Sequence, residues 1–138
     1  MKYLKKFENN LKYKKGDYVL VEYVNSTVSV AKITGQMQVG QFDYHVDLPN
    51  GYTDEIFQDY IKRYANNTEI EIFHIEKGDV FLVDNEDNEV LMKFIRIEAD
   101  YDDFIYEFNY DGKIYEVDLN DIIRKATPLE SDTIKYNL

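Results

Sequence analysis

The sequence predicts a mainly β protein in which one small unit occurs twice. Segment 15–21, KGDYVLV, returns in the second half of the chain as segment 77–83, KGDVFLV. After each copy, apolar and polar residues alternate with the period of two that is typical of β-strands. Asn50-Gly51 and Asp111-Gly112 interrupt this alternation, and such pairs favour two-residue hairpin turns because they tolerate positive φ. An internal repeat constrains the architecture more strongly than local propensity does.

The repeat extends beyond the shared motif. In the register that superimposes the two motifs, the aligned pairs are Val28 and Val90, Ile33 and Ile95, Phe42 and Phe104, and Tyr44 and Tyr106. An extra residue near Pro49 then shifts the alignment by one position, and the aligned pairs are Ile56 and Val117, Ile61 and Ile122, and Arg63 and Arg124. These matches predict that both units contain the same strands in the same order.

The predicted organisation has five parts. A basic N-terminal arm (1–15), helical or irregular, precedes the first unit (16–64), a connector (65–77), the second unit (78–127) and a C-terminal tail (128–138). The connector is apolar, so we expect it to form a strand or to pack between the units. The polar tail is expected to be loose. Each unit has roughly 50 residues, near the lower limit for independent folding, so we expect the two to pack together.

Charge is distributed unevenly along the chain, whose formal net charge is −11. Residues 1–15 carry +5, residues 16–75 carry −6 and residues 76–126 carry −9. A body this acidic repels nucleic-acid phosphates and attracts basic protein surfaces. The sequence therefore predicts a partner protein with a basic surface, for example a nucleic-acid-binding effector, and no direct contact with nucleic acid or membrane. An alternative for the basic arm is docking on an acidic surface, including that of the second unit.

The cellular compartment is predicted from sequence features that are absent. It contains no cysteine, which excludes disulfides and thiol chemistry. No apolar run approaches the ~20 residues that cross a bilayer, and the first residues lack the apolar core of a secretory signal. We expect a cytoplasmic protein, located in the host cell if a phage encodes it. The oligomeric state stays open.

Residues with catalytic chemistry form no recognisable set. His45 and His74 are the only histidines, and their spacing fits neither a metal site nor a catalytic triad. Carboxylates are so abundant that no single pair is diagnostic of acid–base catalysis. The sequence predicts a non-enzymatic protein without metal or cofactor. An enzyme that uses a carboxylate pair is the alternative.

Two predicted loops of the second unit concentrate acidic side chains. Their residues are Asp84, Glu86 and Asp87 in one loop, and Asp100, Tyr101, Asp102 and Asp103 in the other. We expect the fold to place these loops on neighbouring edges, where their carboxylates imitate a phosphate backbone and the ring of Tyr101 adds apolar contact. These seven residues are the predicted partner-binding site. A role in solubility alone is the alternative.

The order of elements in each unit resembles a known architecture. Gly16-Asp17 and Gly78-Asp79 are each followed by an apolar strand, a hairpin, a tight second hairpin and a helical turn. Over residues 16–64 and 78–126 this order is similar to the small barrels of Src-homology-3 (SH3), Tudor and KOW modules. The resemblance implies two tandem SH3-like, or Tudor-like, small β-barrels. Because this fold carries many functions, it does not name one.

The same resemblance implies an aromatic binding surface. Tudor modules hold methylated lysine or arginine in aromatic cages through cation–π contacts. The matching positions are Tyr23, Phe42, Tyr44 and Tyr52 in the first unit, and Tyr101, Phe104 and Tyr106 in the second. The alternative is that these rings cover the cores of the barrels. KOW modules usually bind RNA with a basic face, and this chain departs from that pattern because it is acidic.

The opening segment, MKYLKKFE, resembles the start of small bacteriophage accessory proteins. An acidic protein of that kind is similar to the nucleic-acid mimics that block host defence nucleases, including anti-CRISPR proteins. The leading hypothesis is therefore a phage-encoded inhibitor that occupies the basic nucleic-acid-binding surface of a host defence protein. The alternative is a Tudor-like reader or adaptor that binds a peptide through its aromatic faces.

Overall fold

The strands form two sheets, one in each half of the chain. The computed structural model describes residues 11–99 and 103–136, and the chain divides into two compact units that meet in sequence at Phe73 and His74. Each unit contains a five-stranded antiparallel sheet, so the prediction of a mainly β protein is confirmed. Within the described residues, no hydrogen-bonded pairing closes either sheet into a barrel. Most of the predicted basic arm, residues 1–10, lies outside the described part.

Unit 1 contains five strands and one helix. These are β1 (Tyr18–Glu22), β2 (Val28–Gln36), β3 (Tyr44–Asp47), β4 (Thr53–Ile56), β5 (Ile61–Tyr64) and α1 (Asn67–Phe73). The strands are hydrogen-bonded in the order β4-β3-β2-β1-β5. A short 3₁₀ turn, Gln58–Tyr60, lies between β4 and β5. Asn50-Gly51 lies between β3 and β4 with positive φ at both residues, as its sequence predicts.

Unit 2 repeats this arrangement. Its elements are β6 (Val80–Asn85), β7 (Asn88–Ala99), β8 (Phe104–Tyr110), β9 (Lys113–Val117), β10 (Ile122–Lys125) and α2 (Pro128–Tyr136). The strand order is β10-β6-β7-β8-β9, which is the order of unit 1 read from the other edge. The 3₁₀ turn Leu119–Asp121 again precedes the last strand. The duplication inferred from sequence therefore extends to strand order.

The strand registers correct part of the sequence alignment. Lys32 pairs with Tyr18 and Lys93 pairs with Val80, so Lys93 is the counterpart of Lys32, one position earlier than the register of the two motifs would place it. The first hairpin of unit 2 has a two-residue turn, whereas that of unit 1 is one residue longer. The alignments of Val28 with Val90 and of Ile33 with Ile95 are therefore wrong. Phe94 is the counterpart of Ile33, and both are buried.

The repeated Gly-Asp pair closes the same turn in both units. Gly16 and Gly78 each have a φ of +97°, a conformation that glycine adopts without the steric cost of a side chain. The carboxylate of Asp17 accepts the Lys14 N–H at 2.9 Å, and that of Asp79 accepts the Glu76 N–H at 2.9 Å. The motif therefore recurs because the turn that enters each sheet needs both residues.

Two helices replace segments for which the sequence predicted other structure. Residues 67–73 of the connector form α1 where a strand or a packed segment was expected, and residues 128–136 of the tail form α2 where a loose segment was expected. Each helix starts with a reciprocal cap. Glu69 N–H donates to the Asn66 side chain and Asn66 N–H donates back to Glu69, and Thr127 and Glu130 repeat the exchange. No helix among the described residues is long and apolar enough to cross a membrane.

An arginine of the last strand holds each helix in place. Arg63 donates two hydrogen bonds to the Glu69 carboxylate at 2.7 and 2.8 Å. Arg124 makes the equivalent pair with Glu130 at 2.8 and 3.0 Å. The bond from Arg124 and those from Thr127 lower the pKa of Glu130 to about 2, while hydrogen bonding to Glu69 raises the pKa of Arg63. Bidentate geometry of this kind fixes orientation as well as distance.

We expect Glu69→Ala to lower the free energy of unfolding of unit 1 by about 2 kcal/mol, because it removes a cap and the two hydrogen bonds that Arg63 donates to a largely buried carboxylate. The Glu69 side chain is only 12% exposed. The measurement is amide hydrogen exchange of β5 and α1. As a control, Glu22→Ala breaks a more exposed pair with Lys62 and should cost less than about 0.5 kcal/mol. Equal losses in the two variants would show that the Arg63–Glu69 pair adds no more stability than an exposed ion pair does.

Candidate functional site

The predicted acidic turn of unit 2 is a tight hairpin that brings like charges together. Glu86 and Asp87 form the turn between β6 and β7, with φ of 50° and 67°, and both side chains are exposed. Asp84 lies directly opposite Glu89 across the two strands. Like charges at directly opposed positions destabilise a hairpin. The turn therefore holds four carboxylates in an arrangement that costs stability.

Two further carboxylates join this turn from the 3₁₀ segment before β10. Burial, followed by repulsion from Asp118 and then Asp84, raises the pKa of Asp121 above its ordinary value of 3.8. Asp121 is therefore close enough to both carboxylates to feel their charge. We define the acidic face as the six residues Asp84, Glu86, Asp87, Glu89, Asp118 and Asp121.

Arg124, in the strand after this 3₁₀ segment, lies near enough to the acidic face to interact with Glu89. The carboxylates of Glu130 and, more weakly, Glu89 raise the pKa of Arg124. Both terminal nitrogens of Arg124 already bind Glu130, and one also reaches the Lys125 carbonyl oxygen at 3.2 Å. Arg124 is therefore engaged mainly with the helix and compensates little of the negative charge of the face.

The second predicted acidic loop is described only at its last residue. Asp100, Tyr101 and Asp102 lie outside the described residues, while Asp103 is described and exposed. Glu86 and Asp103 lie beyond opposite ends of β7, a strand of 12 residues. The placement of the two loops on neighbouring edges therefore stays a prediction. Asp118 and Asp121 join the first loop although the sequence did not point to them.

The corresponding surface of unit 1 is aromatic. Ring centroids are separated by 5.9 Å between Tyr23 and Tyr60, 5.4 Å between Tyr60 and Phe57, and 4.7 Å between Phe57 and Phe42. All four rings are half-buried. At one end the Tyr23 hydroxyl donates to the Asp54 carboxylate at 2.8 Å, and burial followed by the Asp54 charge raises the pKa of Tyr23. We call Tyr23, Tyr60, Phe57 and Phe42 the aromatic row.

The two surfaces occupy equivalent positions of the repeated fold. Ile61 pairs with Val21 and Ile122 pairs with Val83, which aligns Ile61 with Ile122 at the start of the last strands. The counterparts of Phe57 and Tyr60 are then Asp118 and Asp121. Aligning the two 3₁₀ turns in sequence would have revealed this exchange of rings for carboxylates. Sequence reasoning missed all four of these residues because it treated the turns only as the ends of the units.

Part of the predicted aromatic surface belongs to the cores. Tyr44 and Tyr106 are 0% exposed and Phe104 is 8% exposed, so none of them offers a surface for binding. The Tyr44 hydroxyl accepts the Tyr13 N–H and donates to Gln58, which ties the ring into the interior. Their placement in a surface cage was wrong because alternation along a strand does not say which face is buried.

The remaining predicted rings lie at least partly at the surface or fall outside the described residues. Tyr23 and Phe42 belong to the aromatic row, and Tyr52, 39% exposed, lies beside the turn between β3 and β4. Tyr101 falls outside the described residues. A cage built from all the matched positions of one unit is therefore not formed, and the aromatic row follows a different path.

The histidines do not form a catalytic or metal arrangement within the described residues. His45 Nδ1 lies 3.6 Å from the Glu55 carboxylate, and both side chains are about half exposed. They line a shallow polar depression over β3 and β4 together with Asp47 and Asp54. His74 is exposed. No group of three His, Cys, Asp or Glu side chains in the described part is arranged to hold a metal ion.

Comparison with known proteins gives no family. The chain matches no protein-family model, and no curated protein shows significant similarity to it.

We expect Asp121→Asn to raise the free energy of unfolding of unit 2 at pH 7, because the amide relieves the cost of partly desolvating the charge and the repulsion from Asp118 and Asp84. The gain should be below about 1 kcal/mol, since water screens an exposed carboxylate. A raised folded pKa means that protonation of Asp121 favours the folded state. The gain should therefore shrink as pH falls through that pKa, and be lost below the ordinary value of 3.8.

The measurement is amide hydrogen exchange of β6 and β10 at a series of pH values. Glu130, whose pKa is about 2, keeps its bonds to Arg124 over this pH range. Titration of the Arg124–Glu130 pair therefore does not obscure the effect of Asp121→Asn. A gain that stays constant from pH 7 to pH 4 would mean that charge repulsion at Asp121 is not its source.

Proposed function

We propose that the chain is a non-enzymatic protein-binding module whose acidic face docks on the basic surface of a partner protein. The observation that carries this proposal is the concentration of six carboxylates on one hairpin and the adjoining 3₁₀ turn. The opposed carboxylates of Asp84 and Glu89 cost the hairpin stability, and repulsion from Asp118 and Asp84 adds to burial in raising the pKa of Asp121. Such a cost is expected where the charge serves binding rather than folding.

The acidic face favours partners that otherwise bind nucleic acid. A groove that neutralises phosphates presents lysine and arginine, and a compact set of carboxylates offers the same complementary charge. Association would be fast, sensitive to salt and directed by the net charge of −11. The partner would therefore be held in competition with its nucleic acid, which is the action of an inhibitor.

We propose that each unit is an SH3-like (Tudor-like) small barrel. The strand order and the 3₁₀ turn before the last strand support this assignment. A phage origin and an anti-CRISPR or other anti-defence role stay predictions from the opening residues and the charge. The alternative of a Tudor-like reader loses three of its expected rings, because Tyr44, Phe104 and Tyr106 are buried.

The test is competition with double-stranded DNA for a panel of purified DNA-binding proteins, followed by fluorescence anisotropy of the labelled DNA. We expect the protein to displace DNA from members of the panel at about 50 mM salt and to lose this ability at about 0.5 M. Neutralising the acidic face should weaken displacement on the order of tenfold. The variant carries Asp84→Asn, Glu86→Gln, Asp87→Asn and Asp121→Asn.

A matched control separates the face from overall charge. It neutralises four carboxylates of unit 1, with Glu22→Gln, Asp47→Asn, Glu55→Gln and Glu71→Gln. Both variants change the formal net charge from −11 to −7. The control should keep its activity within about twofold, because rim charges elsewhere contribute mainly through the long-range field. Equal weakening of both variants, or no displacement from any member of the panel, would refute the proposal.

A further inference from the structure

Three of the four rings of the aromatic row are not required by the fold that carries them, whereas Phe42 has an aromatic counterpart, Phe104, in unit 2. Unit 2 forms the same sheet in the same strand order with Asn85, Asp118 and Asp121 in the places of Tyr23, Phe57 and Tyr60. The second unit therefore acts as an internal control for the first. A half-buried aromatic surface that the scaffold can omit points to a role outside folding.

Two exposed apolar side chains lie on the loops that carry the end rings of the row. Val24 directly follows Tyr23 in the loop between β1 and β2, and it is 86% exposed. Val39 lies three positions before Phe42 in the loop between β2 and β3, and it is 83% exposed. Single exposed apolar residues are common, but here both loops that carry an end ring also carry one.

The charge around the row is of one sign. Residues 33–61, which carry Phe42, Phe57 and Tyr60, contain five carboxylates and no lysine or arginine. The Asp54 carboxylate lies at the Tyr23 end, and Asp59 is exposed within the 3₁₀ turn. Lys62, the first cation beyond this stretch, is already paired with Glu22 at 3.0 Å. Residues 33–61 therefore bring no cation to the row, and the described cation whose backbone reaches the 3₁₀ turn is Lys12, which donates to Gln58 at 2.7 Å. The rings present faces that attract cations.

We propose that the aromatic row is a docking surface for an extended peptide segment in which arginine or lysine alternates with apolar residues. The path through the four ring centroids is at most about 16 Å long, which matches four or five residues of extended chain. Apolar side chains of such a segment cover the rings, and its cations reach the faces of the rings and the carboxylates of Asp54 and Asp59. This surface is separate from the acidic face and does not depend on it.

The two surfaces differ in how salt affects them. Contacts with exposed carboxylates weaken over a Debye length of about 10 Å at 0.1 M salt and about 3 Å at 1 M. Apolar burial on the rings is not screened in this way. A segment with charge alone should therefore bind weakly to the row, and one with apolar residues alone should lack the electrostatic attraction. The alternating segment is the occupant that uses both features.

The test uses a full-length protein whose acidic face carries the four amide substitutions given above, so that unit 2 does not compete for a basic probe. The probe is a fluorescent octapeptide of alternating leucine and arginine at about 0.3 M salt. We expect binding by fluorescence anisotropy, with ¹H–¹⁵N shifts centred on Tyr23, Phe42, Phe57 and Tyr60. Octapeptides of alternating serine and arginine, or of leucine and glutamate, should bind about tenfold more weakly.

Row variants take their residues from unit 2. Phe57→Asp and Tyr60→Asp each introduce the residue type found at the equivalent position, and each should weaken binding of the leucine–arginine probe about tenfold. Tyr115→Ala is the control, because Tyr115 lies in a separate ring pair with Tyr110 in unit 2. It should leave binding unchanged within about twofold.

A further variant keeps the proposal testable if Phe57→Asp and Tyr60→Asp fail to fold. Val24→Ser with Val39→Ser changes only exposed side chains and should weaken binding about threefold. Unchanged binding in this variant or in a folded row variant would overturn the proposal. Equal binding of the serine–arginine and leucine–arginine peptides, or shifts confined to unit 2, would overturn it as well. None of these outcomes bears on the acidic face, because four of its six carboxylates are already amides in this background.

Discussion

Each unit depends on one long second strand that two halves of its sheet share. The first part of β2 pairs with β1 and its second part with β3, with a register shift between Ile33 and Gly35. In unit 2, β7 divides in the same way, with the shift between Phe94 and Arg96. A bulge of this kind bends the strand and increases its twist. The bend lets the five strands of each unit cover a core that includes the buried Tyr44 in unit 1 and the buried Tyr106 in unit 2.

Because the strands and the bulge define the backbone, side chains on the connecting turns can differ between the units. Unit 1 places Phe57 and Tyr60 on its 3₁₀ turn, and unit 2 places Asp118 and Asp121 there. The backbone capping bonds are nevertheless the same, since Tyr60 N–H donates to Phe57 and Asp121 N–H donates to Asp118. A duplicated scaffold thus separates what the fold requires from what the surface adds.

Period and turn chemistry predicted the strands, whereas features that depend on a single residue were missed. The similarity of Val28 to Val90 hid the shorter turn at Glu86, because apolar residues also match one position out of register. The α1 helix was missed because Ile, Thr and Asn are weak helix formers, although Asn66 and Glu69 have capping-box spacing. The acidic turn was found from composition. Asp121 was missed because only the folded 3₁₀ turn brings it near Asp84.

Under the two proposals, the surfaces would affect different steps of association. Charge on the acidic face would act at long range and raise the rate at which a basic partner is encountered. Apolar contact with Tyr60 and Phe57 would act only at contact and lengthen the life of the complex. When both surfaces belong to one chain, the first contact raises the effective concentration of the second. A partner that offers a basic surface and a basic, apolar segment would then be selected over one that offers charge alone, which an acidic protein of net charge −11 would otherwise attract without discrimination.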